Sequence, residues 1–213
     1  MHMQISGIKT LAKGIGKEVM CGRFAVNKKQ VETWLISNLQ AEFHCQQNLD
    51  LCPSQTVSTI IKGEEQNSYR QQDSLWGIKP AWANKLIINA QAETVREKGT
   101  FKQAFAKQRC IIPCSSWFEW QQQDDNKQKF QFSAIDDRPL FMAGIYYLAK
   151  QQNQSLVVTL TTTPTAQCEA YHRRMPLLLQ ENNIEHWLLG GAEQVVPLLD
   201  SRMADEFKIV ANE

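Results

Sequence analysis

The chain has 213 residues, 43% of them hydrophobic and 21% charged, which is ordinary for a globular protein with one sizeable core. Its net charge of +1 excludes attraction to a polyanion by overall charge, so such a partner would need a local basic groove. No apolar run approaches the ~20 residues that span a bilayer, so no membrane partner is expected. The six cysteines form no C-x-x-C pair, which predicts reduced thiols in a cytoplasmic protein without a metal site or cofactor.

Residues 1–20 are expected to be a leader, a tag or a mis-assigned start outside the fold, and residues 21–213 to form a single domain. The first 20 residues contain three glycines, and they lack both the apolar core of a secretory signal and the arginines of a transit peptide. Either Met20 is the true initiator or a leader is cut off before Cys21. A third interpretation, an ordinary extension that stays attached, also remains open.

The segment Met-Cys-Gly-Arg-Phe at 20–24 can produce an unusual N-terminus. If Met20 is removed, Cys21 carries a free amine and a thiol on neighbouring carbons. Such a 1,2-aminothiol condenses with an aldehyde to an imine, and the thiol then closes a thiazolidine ring. The α-amine has a pKa of about 8, against roughly 10.4 for lysine, so more of it is nucleophilic at neutral pH. The alternative is a small buried cysteine in the first strand.

Apolar periodicity predicts an α+β fold with antiparallel sheet at its centre and helices outside. Asn27 should cap a helix that buries Val31, Trp34, Leu35 and Leu39. Strands are predicted over 56–61, 86–88, 110–113, 116–121, 130–132, 140–148, 156–163, 177–179 and 207–210. Further helices are expected after a capping box at 100–103 and over 184–189 and 193–199. Residues 40–55 are expected to be irregular.

Several polar and aromatic residues stand where chemistry or binding is possible. Period-two alternation puts Glu119 on the Trp117 face of its strand, where aromatic walls would raise its pKa and let it pass protons, although a solvent-facing glutamate is the alternative. His172 precedes two arginines, which suits a phosphate site or an ordinary basic turn. Asn89 follows a predicted strand and is either functional or a turn former. Trp82, in a loop, suits base stacking or the core.

Six motifs together resemble the SOS-response-associated peptidase family of abasic-site shields, from Cys21 to about Phe207. They are Met20-Cys21-Gly22-Arg23-Phe24, Trp76-Gly77 with Pro80 and Trp82, Ile88-Asn89-Ala90 with Glu93-Thr94, Arg109-Cys110 with Pro113, Trp117-Phe118-Glu119-Trp120, and His172 with Arg174-Met175-Pro176. The resemblance implies a mixed, largely antiparallel, barrel-like β-sheet body with peripheral helices. It also implies a positively charged groove for single-stranded DNA.

The resemblance further implies four catalytic residues in one pocket. Cys21 would form a thiazolidine with the ring-opened abasic aldehyde, and Asn89 would position the N-terminus and the sugar. Glu119 would shuttle protons during imine formation, and His172 would help to open the deoxyribose ring and assist reversal. The DNA-binding residues it implies are Arg23, Pro53, Trp82, Gln91, Thr161 and Arg174. At Gln91 the family usually has arginine and at Asp50 asparagine, so two contacts to DNA are weakened or reversed in sign.

The implied function is a sensor of abasic sites in single-stranded DNA that crosslinks covalently through Cys21 after removal of residues 1–20. The protein is expected to act as a monomer without a cofactor, in the cytoplasm and on the nucleoid after damage. Two other functions remain open. One is a peptidase that uses Cys21 as an N-terminal nucleophile and removes its own leader, and the other is a non-catalytic module that binds single-stranded DNA.

Overall fold

The computed structural model of the protein describes residues 21–123, 126–148, 155–200 and 206–212. The segment 1–20, expected to precede the fold, lies outside these described residues. The described strands are β1 (Phe24–Val26), β2 (Asn48–Leu51), β3 (Thr56–Lys62), β4 (Tyr69–Trp76), β5 (Asn89–Gln91), β6 (Arg109–Cys114), β7 (Ser116–Gln123), β8 (Asn126–Ala134), β9 (Leu140–Leu148), β10 (Ser155–Thr162), β11 (Met175–Pro176) and β12 (Phe207–Asn212). The described α-helices are α1 (Lys28–Leu39), α2 (Lys102–Lys107), α3 (Ala166–Glu169) and α4 (Ile184–Leu189), with 3-10 turns at Ala92–Thr94, Glu181–Asn183 and Val196–Asp200.

Five strands close into a barrel. The strands β4, β3, β6 and β9 are antiparallel neighbours in that order, and β10 closes the ring by pairing with both β9 and β4. The β10–β4 pairing is parallel, which the sequence did not indicate. Every residue of β6 is buried, including Arg109, and the apolar run that follows Arg109 is typical of a strand with both faces covered. The α+β class and the barrel-like, largely antiparallel body are confirmed.

A second sheet of five antiparallel strands has the order β12-β8-β7-β1-β2. Strands β7 and β8 form the predicted hairpin, with register pairs from Ser116 opposite Ser133 to Gln123 opposite Asn126. On one face Trp117 stacks on Phe132 at 4.7 Å between ring centroids. Side chains alternate between the faces of a strand, so Glu119 shares this buried face and Phe118 lies on the other.

Two short strands extend β10 beyond the barrel. Strand β5 runs parallel to it, with Asn89 opposite Thr159, and β11 runs antiparallel, with Pro176 opposite Thr161. The chain leaves β4 through Gly77, whose φ of +118° and close approach to the Leu86 side chain exclude a larger residue. After this turn and a loop the chain pairs with β10 again through β5, which places Asn89 opposite Thr159.

Several predicted elements were wrong in extent. The segment 86–88 contributes only an isolated bridge from Ile87 to Ile78, so Asn89 opens a strand instead of following one. The leucines at 177–179 are buried, but the ladder ends at Pro176 and Leu178 makes a single bridge to Met142. At 177–179 the apolar side chains are buried by packing without a continuous ladder, whereas at 86–88 Leu86 is exposed and only Ile88 is buried. The segment 40–55, expected to be irregular, contains β2.

The helix predictions were partly right. Asn27 caps α1, since its side chain accepts a hydrogen bond from the Gln30 N–H, and Val31 and Leu35 are fully buried. The range of α4 was predicted correctly. The capping box at 100–103 does not form, because α2 begins at Lys102 without a side-chain cap. The range 193–199 forms a turn followed by the 3-10 segment Val196–Asp200, consistent with the proline inside it.

Candidate active site

Four of the predicted site residues, Cys21, Glu119, His172 and Arg174, come together from elements of the two sheets. Cys21 lies three residues before the first residue of β1, and Glu119 lies on the neighbouring strand β7. His172 and Arg174 lie in the segment that leads from α3 into β11. Because β11 and β5 both pair with β10, this segment lies close to the residues that β5 carries.

Cys21 is buried, with 6% of its surface exposed. Its Sγ lies 4.0 Å from the carbonyl oxygen of Arg174, to which the thiol donates. Burial raises the pKa of the Cys21 thiol well above its ordinary value, and the charge of the Glu119 carboxylate and its hydrogen bond with the thiol raise it further. The backbone at Cys21 has a φ of +41°, in the left-handed region that residues other than glycine seldom adopt.

Glu119 is 3% exposed, so the buried interpretation of this residue is right and the solvent-facing one is wrong. It is held in the middle of the second sheet because β7 pairs with β8 on one side and β1 on the other. Its carboxylate contacts the Cys21 thiol. A buried carboxyl group within hydrogen-bonding reach of a reacting thiol is placed to give or take protons there.

Tyr171, which precedes His172, packs against aromatic side chains of the second sheet. The Tyr171 ring meets the rings of Phe130 and Phe132 edge-on, at 4.7 Å and 5.2 Å between centroids. The amide of Gln121 donates to the carbonyl of Ala170 at 2.8 Å. These contacts hold Ala170 and Tyr171 against the second sheet, immediately before His172.

His172 is 8% exposed and directed at the backbone of Arg174. Its Nδ1 lies 3.0 Å from the Arg174 carbonyl oxygen and 3.1 Å from the Arg174 amide nitrogen, so it donates to one or accepts from the other according to its tautomer. The same carbonyl oxygen accepts from the Cys21 thiol. We call Cys21, Glu119 and His172 the thiol cluster, because Cys21 contacts Glu119 directly and is linked to His172 by this oxygen.

The guanidinium of Arg174 is held by a bidentate ion pair. It donates to both carboxylate oxygens of Glu93, at 2.7 Å and 2.8 Å, and to the Thr161 carbonyl at 2.7 Å. These hydrogen bonds from Arg174 lower the pKa of the Glu93 carboxyl. Such a fork fixes both position and orientation. Arg174 is therefore anchored through its side chain while its carbonyl oxygen orients two members of the thiol cluster.

Three predicted residues line the neighbouring strands β5 and β10. Asn89 accepts a hydrogen bond on Oδ1 from the Thr159 hydroxyl, which fixes its carboxamide. Thr161 is fully buried, and its hydroxyl lies 3.5 Å from the Arg174 guanidinium. Gln91 stands opposite Thr161 in the β5–β10 register and is half-buried.

Arg23 belongs to a separate charged group, which we call the Asp50 bridge. One oxygen of Asp50 accepts from Arg23 Nη1 at 2.8 Å, and the other accepts from Lys129 Nζ at 2.9 Å. Pro53 lies in the turn after β2 and is half-buried, and Trp82 lies in a loop with 70% of its surface exposed. Arg23 is thus two residues from Cys21 in the chain but belongs to a separate group, and Pro53 and Trp82 occupy loops outside the elements that build the thiol cluster.

Sequence reasoning assigned no role to Glu93 or Lys129. Glu93 stood in a quoted motif four residues after Asn89, which was an available signal. Nothing local marked Lys129, since its position depends on the β7–β8 register. Over the described ranges, no three histidine, cysteine or acidic side chains are grouped as a metal site. In that same part of the chain, no helix is both long and apolar enough to cross a bilayer.

Comparison with known proteins identifies the family and supports the fold. The model of the family described as SOS response associated peptidase (SRAP) matches residues 20–211. The Abasic site processing protein YoqW of Bacillus subtilis is 32% identical over 181 residues, which cover 79% of this chain and 80% of the relative. The Abasic site processing protein YobE of the same organism is 30% identical over 181 residues, covering 79% and 82%.

A solved structure agrees in fold. A crystal structure of a protein from Bordetella bronchiseptica superposes with a TM-score of 0.77, covering 91% of this chain and all of that one, at 22% identity. At this identity the likeness shows the fold alone. The family model, however, spans nearly the whole described chain and begins one residue before Cys21. The chain therefore belongs to the SOS response associated peptidase family.

Proposed function

We propose that the protein processes abasic sites in single-stranded DNA by forming a covalent thiazolidine between Cys21, once it is the N-terminal residue, and the ring-opened sugar. The names of its Bacillus subtilis relatives support the substrate. The observation that carries the chemistry is the thiol cluster, in which a buried cysteine contacts a buried carboxylate and shares the Arg174 carbonyl with an imidazole.

The proposed reaction proceeds in two bond-forming steps. The α-amine of Cys21 attacks the aldehyde carbon of the open sugar and gives a carbinolamine, which loses water to become an imine. The thiol then adds to the imine carbon, and its proton goes to the nitrogen. The sum is aldehyde plus aminothiol giving thiazolidine and one water, so the reaction needs no oxidant or reductant.

The buried acid–base groups suit these steps. Loss of water from the carbinolamine needs a proton donor, and the carboxyl of Glu119 is already within hydrogen-bonding reach of Cys21. His172, two residues from Arg174 and directed at its backbone, would assist opening of the deoxyribose ring. Asn89, fixed by Thr159, would orient the amine and the sugar. Single-stranded DNA is the favoured substrate, because extruding a sugar is least costly without a paired strand.

The mechanism requires that residues 1–20 be absent from the active protein. While Met20 is joined to Cys21, the cysteine nitrogen belongs to an amide and has no basic lone pair. We therefore propose that translation begins at Met20, with removal of that methionine, or that a leader ending at Met20 is cut off. Residues 21–213 then form the working domain.

The alternative of an N-terminal nucleophile peptidase is less well supported by the site. A thiol nucleophile of a peptidase works as a thiolate, which low pKa values favour. Burial and the Glu119 carboxylate instead raise the pKa of the Cys21 thiol, which keeps it protonated at neutral pH. Thiazolidine closure accepts a neutral thiol, because its proton is transferred to the ring nitrogen.

One experiment tests the proposal against both alternatives. A chain that begins at Cys21 is incubated with single-stranded DNA carrying one abasic site, and the intact mass of the product is measured. We expect the sum of the two masses less one water. Peptide hydrolysis without an adduct would support the peptidase, and reversible binding without an adduct would support the non-catalytic module.

A further inference from the structure

The Asp50 bridge has the geometry of an occupied anion site. Its two carboxylate oxygens each accept from a different cation, Arg23 at 2.8 Å and Lys129 at 2.9 Å. A DNA phosphate also presents two oxygens on one centre, and arginine and lysine are its usual partners. The carboxylate therefore stands where a phosphate of a bound strand would make the same two contacts.

The second sheet assembles this group from four adjacent strands. Asp50 lies on β2, Arg23 precedes β1, Phe118 lies on β7 and Lys129 on β8. The Lys129 ammonium sits over the Phe118 ring, 4.1 Å from its centroid, and this cation–π contact holds the lysine independently of Asp50. Lys129 would thus remain in place if the carboxylate moved away, and the Arg23 backbone is held by its carbonyl, which accepts from the Phe118 N–H at 3.0 Å.

The bridge is in contact with solvent. The side chains of Arg23, Asp50 and Lys129 are 36%, 49% and 21% exposed. Ion pairs this exposed contribute little to folding stability, so an incoming phosphate can displace the carboxylate without disturbing the fold. Asp50 contributes one negative charge against two positive ones, which leaves +1 at the group; a neutral residue there would leave +2.

We propose that Arg23 and Lys129 form a seat for a DNA phosphate beside Cys21, and that Asp50 is a built-in competitor for it. This assigns Lys129 to the DNA interface and makes Asp50 a residue that limits affinity. The inference rests on the proposed binding of single-stranded DNA. It does not depend on the thiazolidine chemistry, so it can be tested on DNA without an abasic site.

The Asp50 carboxylate also affects how the affinity for DNA depends on salt concentration. A lysine or arginine that meets a phosphate normally releases bound counterions, and each such contact to a single strand contributes about −0.7 to the slope of log affinity against log salt. Asp50 stays on the protein beside the phosphate and offsets one of the two positive charges, so the seat contributes less than its normal share to that slope. When Asp50 is neutral, the seat should contribute its normal share.

The test measures the affinity of the full chain for unmodified single-stranded DNA across a range of salt concentrations. Asp50→Asn should tighten binding by roughly fivefold at low salt and steepen the slope by about 0.7. Lys129→Gln should weaken binding, and the double variant should lose the gain of Asp50→Asn. Asp73→Asn on β4 and Lys62→Gln on β3 are exposed matched controls on barrel strands, with the same charge changes.

The outcomes separate this inference from the proposed function. If wild type binds and Asp50→Asn behaves as Asp73→Asn does, the seat is overturned while DNA binding stands. If neither wild type nor Asp50→Asn binds, both proposals fail. Asp50→Ser removes the same charge without introducing an amide, so it shows whether an effect comes from the charge. The thermal unfolding midpoint of each variant shows whether the fold is preserved. A gain in both Asn and Ser variants with unchanged midpoints supports the competitor.

Discussion

The thiol cluster contains Cys21 and the Asp50 bridge contains Arg23, only two residues further along the chain. The two groups differ in burial and in the contacts that hold their side chains. Cys21, Glu119 and His172 are all less than a tenth exposed, and backbone and aromatic contacts fix them. Arg23 and Asp50 are paired charges in contact with water. A buried site holds reacting groups in register and strengthens their electrostatic interactions. An exposed site captures a charged partner but cannot orient it closely.

Because of this difference, we expect changes in the two regions to affect different measured quantities. Changes in the thiol cluster should alter the rate of adduct formation on DNA that is already bound. Changes in the Asp50 bridge should alter affinity and its dependence on salt. The following predictions test that division, beginning with the largest expected effect.

The largest effect concerns the residue before Cys21. The full 213-residue chain should form no adduct with an abasic aldehyde, because its Cys21 nitrogen is an amide, whereas a chain beginning at Cys21 should react. Intact mass after incubation with abasic single-stranded DNA distinguishes the two. Adduct formation by the uncut chain, with its leader demonstrably retained, would show that the Cys21 amine is not the reactive group.

Variants of the chain beginning at Cys21 separate the amine from the thiol. Cys21→Ser and Cys21→Ala keep the amine and should give an imine that borohydride traps, without the hydrolysis-resistant ring. N-acetylation of the same chain should abolish both species. A stable adduct from Cys21→Ala would rule out the thiazolidine.

Glu119→Gln should slow crosslinking by about 10², the scale of a positioned acid–base group. The amide keeps the size of the side chain and should preserve the fold, which the unfolding midpoint checks. Single-turnover kinetics at saturating DNA measure the rate. An unchanged rate in a folded variant would remove Glu119 from the mechanism.

His172→Ala should slow formation and release of the adduct together, by roughly tenfold, below the full effect of an acid–base group. A group that assists ring opening must also assist ring closure by microscopic reversibility. Rates in both directions, measured on purified adduct and on fresh DNA, test the pairing. Wild-type rates both ways would reduce His172 to part of a phosphate-binding turn.

The smallest effect is expected in the Asp50 bridge. Arg23→Gln should weaken binding of unmodified single-stranded DNA by roughly fivefold at low salt, since it removes one phosphate contact. Crosslinking at saturating DNA should be unchanged, because the Arg23 carbonyl that accepts from the Phe118 N–H at 3.0 Å remains. If the saturated rate falls while affinity holds, the division between the two regions is wrong.

The sequence was most informative where local pattern and burial agree. Asn27 and the apolar face of α1 could be predicted, and so could the hairpin that buries Glu119, because capping and alternation are local rules. The parallel pairing of β10 with β4 could not, since it joins strands about 80 residues apart and depends on barrel closure.

The candidate site likewise has residues that the sequence could predict and contacts that it could not. Cys21, Glu119 and His172 could be selected from motifs, and the structure brings them together. The anchoring of Arg174 by Glu93 and the approach of Lys129 to Asp50 are contacts between distant residues. Motif and spacing contain no information on which carboxylate meets which cation, because strand register and side-chain length decide it.

The positive φ of Cys21 has an energetic consequence for the bond that precedes it. A left-handed residue with a side chain costs roughly 1–2 kcal/mol. The angle φ is defined only while another residue precedes Cys21, so a chain that begins there does not bear this cost. Folding therefore favours the chain that begins at Cys21 over the uncleaved chain by this free energy. It shifts the hydrolysis equilibrium of the Met20–Cys21 bond toward cleavage by a factor of about 5 to 30.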